Sequence, residues 1–268
     1  MTLSTIRTCC RSWTAPGTIV LGLLLSSCGP SESSGESPAV MRVAVAGNFA
    51  SPQAELAVLF QTATGVEIET SLGSTGQLYA QIANGAPFDI FLAADTLRPK
   101  LLEEEGRTVR NTRFTYAIGR LVLYAPSWDS VRAGEHELRS RPIRHLAIAN
   151  PLTAPYGAAA REVLERWGLN DEYETRIVRG ENVAQTFQFV ESGASEAGFV
   201  ALSYVFSRDP RDYWIVPDSL HQPIRQDAVL LQHGQSNPPA RDYLEFLQSE
   251  EGKRVIAGYG YSLPLESR

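Results

Sequence analysis

Short apolar runs alternate with helix-period segments along most of the chain. The runs predict strands over residues 42–46, 67–71, 89–93, 121–125, 145–149, 175–178, 197–201, 213–216 and 228–232. Between them, Leu56, Leu59 and Phe60 share one helical face, as do Leu78 with Ile82 and Val163 with Leu164 and Trp167. Several of these segments stop at a glycine (Gly65, Gly85, Gly168), the residue that best tolerates the left-handed conformation closing a helix. Strand–helix alternation with short connections predicts an α/β architecture with mainly parallel sheets. No repeat of solenoid period is visible.

The pattern also divides. One βα set fills residues 41 to about 118, and a second begins near His145. The extended segments Leu121-Val-Leu-Tyr-Ala-Pro126 and Ile224-Arg-Gln-Asp-Ala-Val-Leu-Leu231 fall between the sets and read as two crossings. The last helix, over 240–258, then returns to the first lobe. The expected organisation is lobe 1 over 41–121 and 224–268 and lobe 2 over 122–223, with a hinged cleft where ligands preferentially sit.

The N-terminus changes the picture of location. Arg7 and Arg11 precede a short apolar core, Thr18-Ile-Val-Leu-Gly-Leu-Leu-Leu25, which is too short to span a membrane. The ending Leu25-Ser-Ser-Cys28 resembles the bacterial lipobox, so residues 1–27 are expected to be a signal peptide and Cys28 the lipidated mature N-terminus. The Gly/Ser/Pro/Glu-rich stretch over 28–40 has little to bury and reads as a tether. Cys9 and Cys10 leave with the leader, so no disulfide and no cysteine metal site is expected. Losing Arg7 and Arg11 moves the formal charge from −6 to −8. That balance argues against nucleic acid or an anionic membrane surface as partner, leaving membrane contact to the lipid alone.

A small anion remains compatible, because helix ends bind anions without basic side chains. Val43-Ala-Val-Ala-Gly47-Asn48-Phe and Ser71-Leu-Gly-Ser74-Thr75-Gly-Gln each read as a strand ending in a small polar turn that opens into a helix. The same grammar recurs at Asn150-Pro-Leu-Thr-Ala-Pro-Tyr156-Gly157 and at Gly180-Glu-Asn-Val183. The first N–H groups of a helix lack intrahelical partners and carry partial positive charge, so several such ends aimed at one point make an oxyanion site.

With these turns on the page, the chain resembles the periplasmic molybdate-binding proteins of ABC importers, within the type II solute-binding fold. The most specific piece is Gly85-Ala-Pro-Phe-Asp89-Ile-Phe-Leu-Ala-Ala-Asp95. Phe114-Thr-Tyr-Ala-Ile-Gly-Arg-Leu-Val-Leu-Tyr124, Gly198-Phe-Val-Ala201 and Tyr259-Gly-Tyr-Ser-Leu-Pro264 fit in the same order. The resemblance implies a two-lobed α/β protein with two hinge crossings. Its ligand would be molybdate or tungstate, held by Gly47, Asn48, Ser74, Thr75, Tyr156 and the backbone N–H of Val183, with no direct metal ligands and no cofactor. Relatives with a small residue in the third turn carry a tyrosine where this chain has Ala201. Tyr156 is expected to supply that phenol from the opposite wall, as in the asparagine-bearing branch. The implied partner is an ABC importer permease. The chain itself is expected to be an exported, lipid-anchored monomer on the periplasmic side.

Each residue also has an ordinary reading. Asn48, and Ser74 with Thr75, fit plain helix N-caps, and Tyr156 fits a surface turn. Glu181 would repel a dianion if its carboxylate faced the site. Sulfate and phosphate stay open as ligands, whereas an iron site using Tyr204 and Tyr213 is not favoured by their spacing or by the polar turns. A hydrolase is disfavoured: there is no Gly-x-Ser-x-Gly elbow, no metalloprotease histidine pair and no Walker A sequence.

Overall fold

The computed structural model describes residues 40–264. The expected leader, Cys28 and all of the tether except Val40 lie outside the described residues. In chain order the elements are β1 (Val40–Ala46), α1 (Ala50–Thr64), β2 (Glu67–Gly73), α2 (Thr75–Ala83), β3 (Ile90–Leu92), α3 (Leu97–Glu104), β4 (Phe114–Gly119) and β5 (Leu121–Tyr124). These are followed by α4 (Gly134–Ser140), β6 (Leu146–Ala149), α5 (Pro155–Arg166), α6 (Asn170–Tyr173), β7 (Ile177–Gly180), α7 (Val183–Glu191), β8 (Ala197–Ala201) and β9 (Tyr213–Ile215). The chain closes with β10 (Ile224–Leu230), α8 (Pro238–Gln248) and α9 (Glu250–Gly258).

The strands form two five-stranded sheets of like design, ordered β2-β1-β3-β10-β4 and β7-β6-β8-β5-β9. In each, the first three strands run parallel and the fourth runs antiparallel to both neighbours. The antiparallel fourth strand is the one that follows a crossing in sequence. The chain therefore passes between sheets at Arg120, between β4 and β5, and again through the segment joining β9 to β10. The segments read as crossings are thus strands of one sheet each, β5 of the second and β10 of the first.

Parallel strands covered by helices on both faces need apolar side chains on both. Val43 and Val45 accordingly pack with Phe49, Leu56 and Phe60 of the α1 side and with Tyr243 and Leu247 of α8. Ala44 and Phe91 face a second cluster with Leu78 and Ile82 of α2 and Leu102 of α3. In the other sheet β5, β6 and β8 are entirely buried, and α5 lays Val163 and Leu164 against them.

Two elements differ from expectation. Phe114–Gly119 is a strand, hidden in the sequence because it runs on into β5 with no turn residue beyond Gly119. The single final helix is two, α8 and α9, broken at Ser249. Ser249 Oγ accepts from Gly252 N (3.1 Å) and donates to Phe246 O (2.7 Å), capping one helix while closing the other. Only glycine fits at position 252, where a Cβ would lie 2.3 Å from Phe246 O.

One buried charge ties β10 to β4. Asp227 is 1% exposed. It accepts from Arg113 Nη1 at 2.8 Å and from Thr115 Oγ1 at 2.7 Å. Removing one partner of such a pair leaves an uncompensated buried carboxylate. Arg113→Met is therefore expected to lower stability by about 2–3 kcal/mol in chemical denaturation, discounted for the partly exposed guanidinium. Unchanged stability would show that Thr115 alone suffices.

Candidate functional site

The helix-opening turns singled out in the sequence meet at one place. Gly47, Asn48, Ser74, Thr75, Tyr156 and Val183 all line a single small cavity, together with Ala46, Gly73, Ala94, Ala154, Pro155 and Asn182. None of these residues carries a charge. The cavity is small, about 10 Å³. Roomier grooves exist, one of about 500 Å³ beside Asp95 and Arg98 and one of about 540 Å³ beside Trp167 and Trp214. Neither is lined by Gly47, Asn48, Ser74, Thr75, Tyr156 or Val183.

Each wall is built locally. Gly47–Phe49 forms a short 3₁₀ turn that feeds directly into α1. Ser74 caps α2, its Oγ accepting from Gln77 N at 3.4 Å while Gln77 Oε1 accepts from Ser74 N at 3.2 Å. Ser74, not Thr75, is thus the capping member of that pair. Thr75 Oγ1 instead accepts from Ala94 N at 3.0 Å, which leaves its hydroxyl proton to give elsewhere. Asn182 caps α7, its side chain accepting from Gln185 N at 3.0 Å, and Val183 is the first residue of that helix.

Tyr156 enters at the start of α5, behind Pro155, and is 2% exposed. A glycine must follow it, since a Cβ at Gly157 would lie 2.2 Å from Ala149 O. Burial raises the Tyr156 phenol well above its ordinary pKa, so it stays a proton donor.

Asn48 is placed differently from a plain cap. Its side chain makes no cap bond to the helix and points into a buried polar cluster. Nδ2 donates to Gln226 Oε1 at 2.8 Å and to Tyr261 Oη at 3.0 Å. Both amide hydrogens are therefore spent, and toward the cavity Asn48 has its backbone N–H to offer. Gln226 and Tyr261, together with the wall residues Ala94 and Asn182, were not singled out from the sequence. The motif ending at Pro264 hinted at Tyr261, which is held by paired backbone bonds between Ile118 and Ser262. Asn182 was visible as a cap one residue before Val183.

The cleft is closed. Gly76 N donates to Thr153 O (2.8 Å), Gln77 Nε2 to Glu181 Oε2 (2.7 Å) and Arg98 Nη2 to Leu152 O (3.0 Å). Ser203 Oγ donates to Asn48 O at 2.7 Å, and the Tyr204 hydroxyl donates to Gly47 O. Every one of these bonds joins a helix or turn flanking the first sheet to one flanking the second. Glu181 is thereby turned outward onto Gln77 and lines no part of the cavity. Tyr204 is spent on a carbonyl, and Tyr213 lies in β9 opposite Tyr124. Among the described residues no group of three or more His, Cys, Asp or Glu is placed to hold a metal ion. No described helix is long and apolar enough to cross a membrane.

Two α/β sheets closing on an uncharged pocket define a class of binding protein. Residues 41–262 match the family described as "Bacterial extracellular solute-binding protein", and the chain belongs to that family. Within it, the chain is 46% identical over 229 residues to the molybdate-binding protein ModA of Azotobacter vinelandii, covering 84% of this chain and 90% of the relative. It is 42% identical over 219 residues to the ModA of Rhodobacter capsulatus, covering 81% and 86%. The solved Azotobacter vinelandii periplasmic molybdate-binding protein superposes with a TM-score of 0.81 at 36% identity, over 84% of this chain and all of that one.

Proposed function

We propose that this chain captures molybdate, and with it tungstate, outside the cytoplasm and hands it to the permease of an ABC importer. The observation that carries the reading is the uncharged cavity where helix starts from both sheets converge. A tetrahedral dianion entering it exchanges hydration for fixed N–H and O–H donors, each contributing roughly 1.5–3 kcal/mol net. The donors would be the backbone N–H groups of the Gly47–Asn48 turn and of Val183, and the hydroxyls of Ser74, Thr75 and Tyr156. The identity to molybdate-binding relatives supports the choice of ion. Entry requires the halves to part, with lobe 1 taken as 41–121 and 224–268 and lobe 2 as 122–223. The bonds that bridge the sheets re-form around the ion. The protein acts as a monomer, by binding and release rather than turnover.

Calorimetric titration with molybdate, tungstate, sulfate and phosphate tests this. Molybdate and tungstate should bind at least about a hundredfold more tightly than the other two, a gap of about 2.7 kcal/mol. Equal affinities, or binding of sulfate alone, would overturn the assignment.

The same reading includes a lipid on Cys28, with residues up to 39 as spacer. Cys28→Ser should move the protein from the membrane fraction to the soluble fraction of expressing cells. Continued membrane association would argue against the anchor.

A further inference from the structure

We propose that Gln226 and Tyr261 are positioning residues that fix the direction of the Tyr156 hydroxyl, so that this wall of the cavity favours presenting a proton over accepting one. The proposal rests on an oxyanion occupying the cavity and names what selects it: a tetrahedral oxyanion carrying no proton of its own.

The direction follows from an anchor that cannot be reversed. Asn48 O is a backbone carbonyl and can only accept. It receives the hydroxyl of Tyr261 at 2.7 Å. The Tyr261 proton is thereby spent, so its oxygen can only accept when it meets the Asn48 amide at 3.0 Å. That contact requires Nδ2, not Oδ1, which settles the amide's orientation on chemical grounds. The second Nδ2 hydrogen goes to Gln226 Oε1 at 2.8 Å, where Tyr116 Oη also donates at 3.1 Å. Gln226 must then present Nε2 to Tyr156, whose oxygen accepts at 3.4 Å. The Tyr156 oxygen is thus engaged by Gln226, and its phenolic proton, which has Tyr261 Oη beside it in this closed state, is the one it can turn to an entering anion.

Burial makes the arrangement consequential. Gln226 is wholly buried and Asn48, Tyr156 and Tyr261 are at most 6% exposed, so water does not scramble these roles. A hydroxyl with free rotation would serve a protonated anion as acceptor and an unprotonated one as donor. A hydroxyl already receiving from Gln226 is turned toward giving its proton and favours the second. Hydrogen phosphate and hydrogen arsenate bring a proton that finds no acceptor there, and an unmatched buried donor is costly.

The test is Gln226→Met, which keeps the volume and removes both ends of the amide. Titrations with molybdate and hydrogen arsenate are run on the wild type and the variant. The ratio of the two dissociation constants should shrink by about tenfold, with molybdate weakened and arsenate unchanged or improved. The ultraviolet difference spectrum that Tyr156 gives on molybdate binding, identified by its loss in Tyr156→Phe, should shrink in the variant. A merely structural role would weaken both anions equally and leave that signature intact, which would overturn the proposal. If Gln226→Met does not fold, Tyr261→Phe carries the same expectation, since it frees the Asn48 amide at the start of the chain of bonds. An unchanged ratio there overturns it equally. Should the wild type bind neither anion, the fault lies with the site itself and both proposals fall. If it binds molybdate tightly, only the positioning role is at stake.

Discussion

Alanine at position 119 should cost the protein at least about a hundredfold in molybdate affinity, although Gly119 does not itself line the cavity. A Cβ built there lies 2.1 Å from Tyr156 Oη, 2.9 Å from its Cζ and 2.6 Å from Gln226 Nε2. No ordinary contact is that short, so both groups must move. Tyr156 has little freedom to do so, since Gly157 packs its helix start directly on the Ala149 carbonyl. The phenol would leave the cavity, or the last residues of β4 would shift and drag the crossing at Arg120 with them. Overpacking of this kind costs about 1–3 kcal/mol of stability, so the variant should fold with a lowered melting temperature. Calorimetry on Gly119→Ala, Tyr156→Phe and the double variant separates the causes. If displacement of the phenol is the mechanism, the two losses will not add. A Gly119→Ala protein that binds within threefold of wild type would show that the phenol contributes nothing at that position.

Nothing local in the sequence marks Gly119 as a point of close approach. Its only mark is the continuous run over 114–124, where one glycine sits between Ile118 and Arg120. A glycine required by close approach looks like any other glycine until the second chain segment is in place. The same holds for the polar cluster. Asn48 lies 178 positions from Gln226 and 213 from Tyr261, so no local spacing joins them. What was legible was local: strand–helix alternation, glycine stops such as Gly65 and Gly168 with φ of 74° and 66°, and helix-opening turns. Those turns converge because each follows the C-terminal end of a parallel strand, and in each sheet such ends lie side by side. Local grammar thus located the cavity walls. It could not say that the amide of Asn48 faces away from the cavity, nor that Ser74 rather than Thr75 closes the turn of α2. The final helix was overextended because the break at Ser249 depends on a serine bonding both ways, which a periodic apolar face does not record.

The sharpest test of a donor site built on backbone is to delete one backbone donor while sparing the fold, and Val183 permits this. It is the first residue of α7, where proline is favoured because the N–H there has no intrahelical partner to lose. The preceding residue must be extended for proline to follow, and Asn182 already is, with φ −149° and ψ 175°. Val183→Pro should therefore leave α7 and its Asn182 cap in place and remove one N–H from the cavity wall. A hydrogen bond to a charged group contributes about 1.5–3 kcal/mol, so molybdate affinity should fall about 10- to 150-fold. The Val183 side chain is itself buried, at 3% exposure, so some loss could come from packing. Val183→Ala controls for that: it trims more side chain but keeps the N–H, and should bind within about threefold of wild type. If proline and alanine variants bind alike, the N–H of Val183 does not reach the ion. The charge of the anion must then be met by side-chain hydroxyls, and the helix start contributes only its shape.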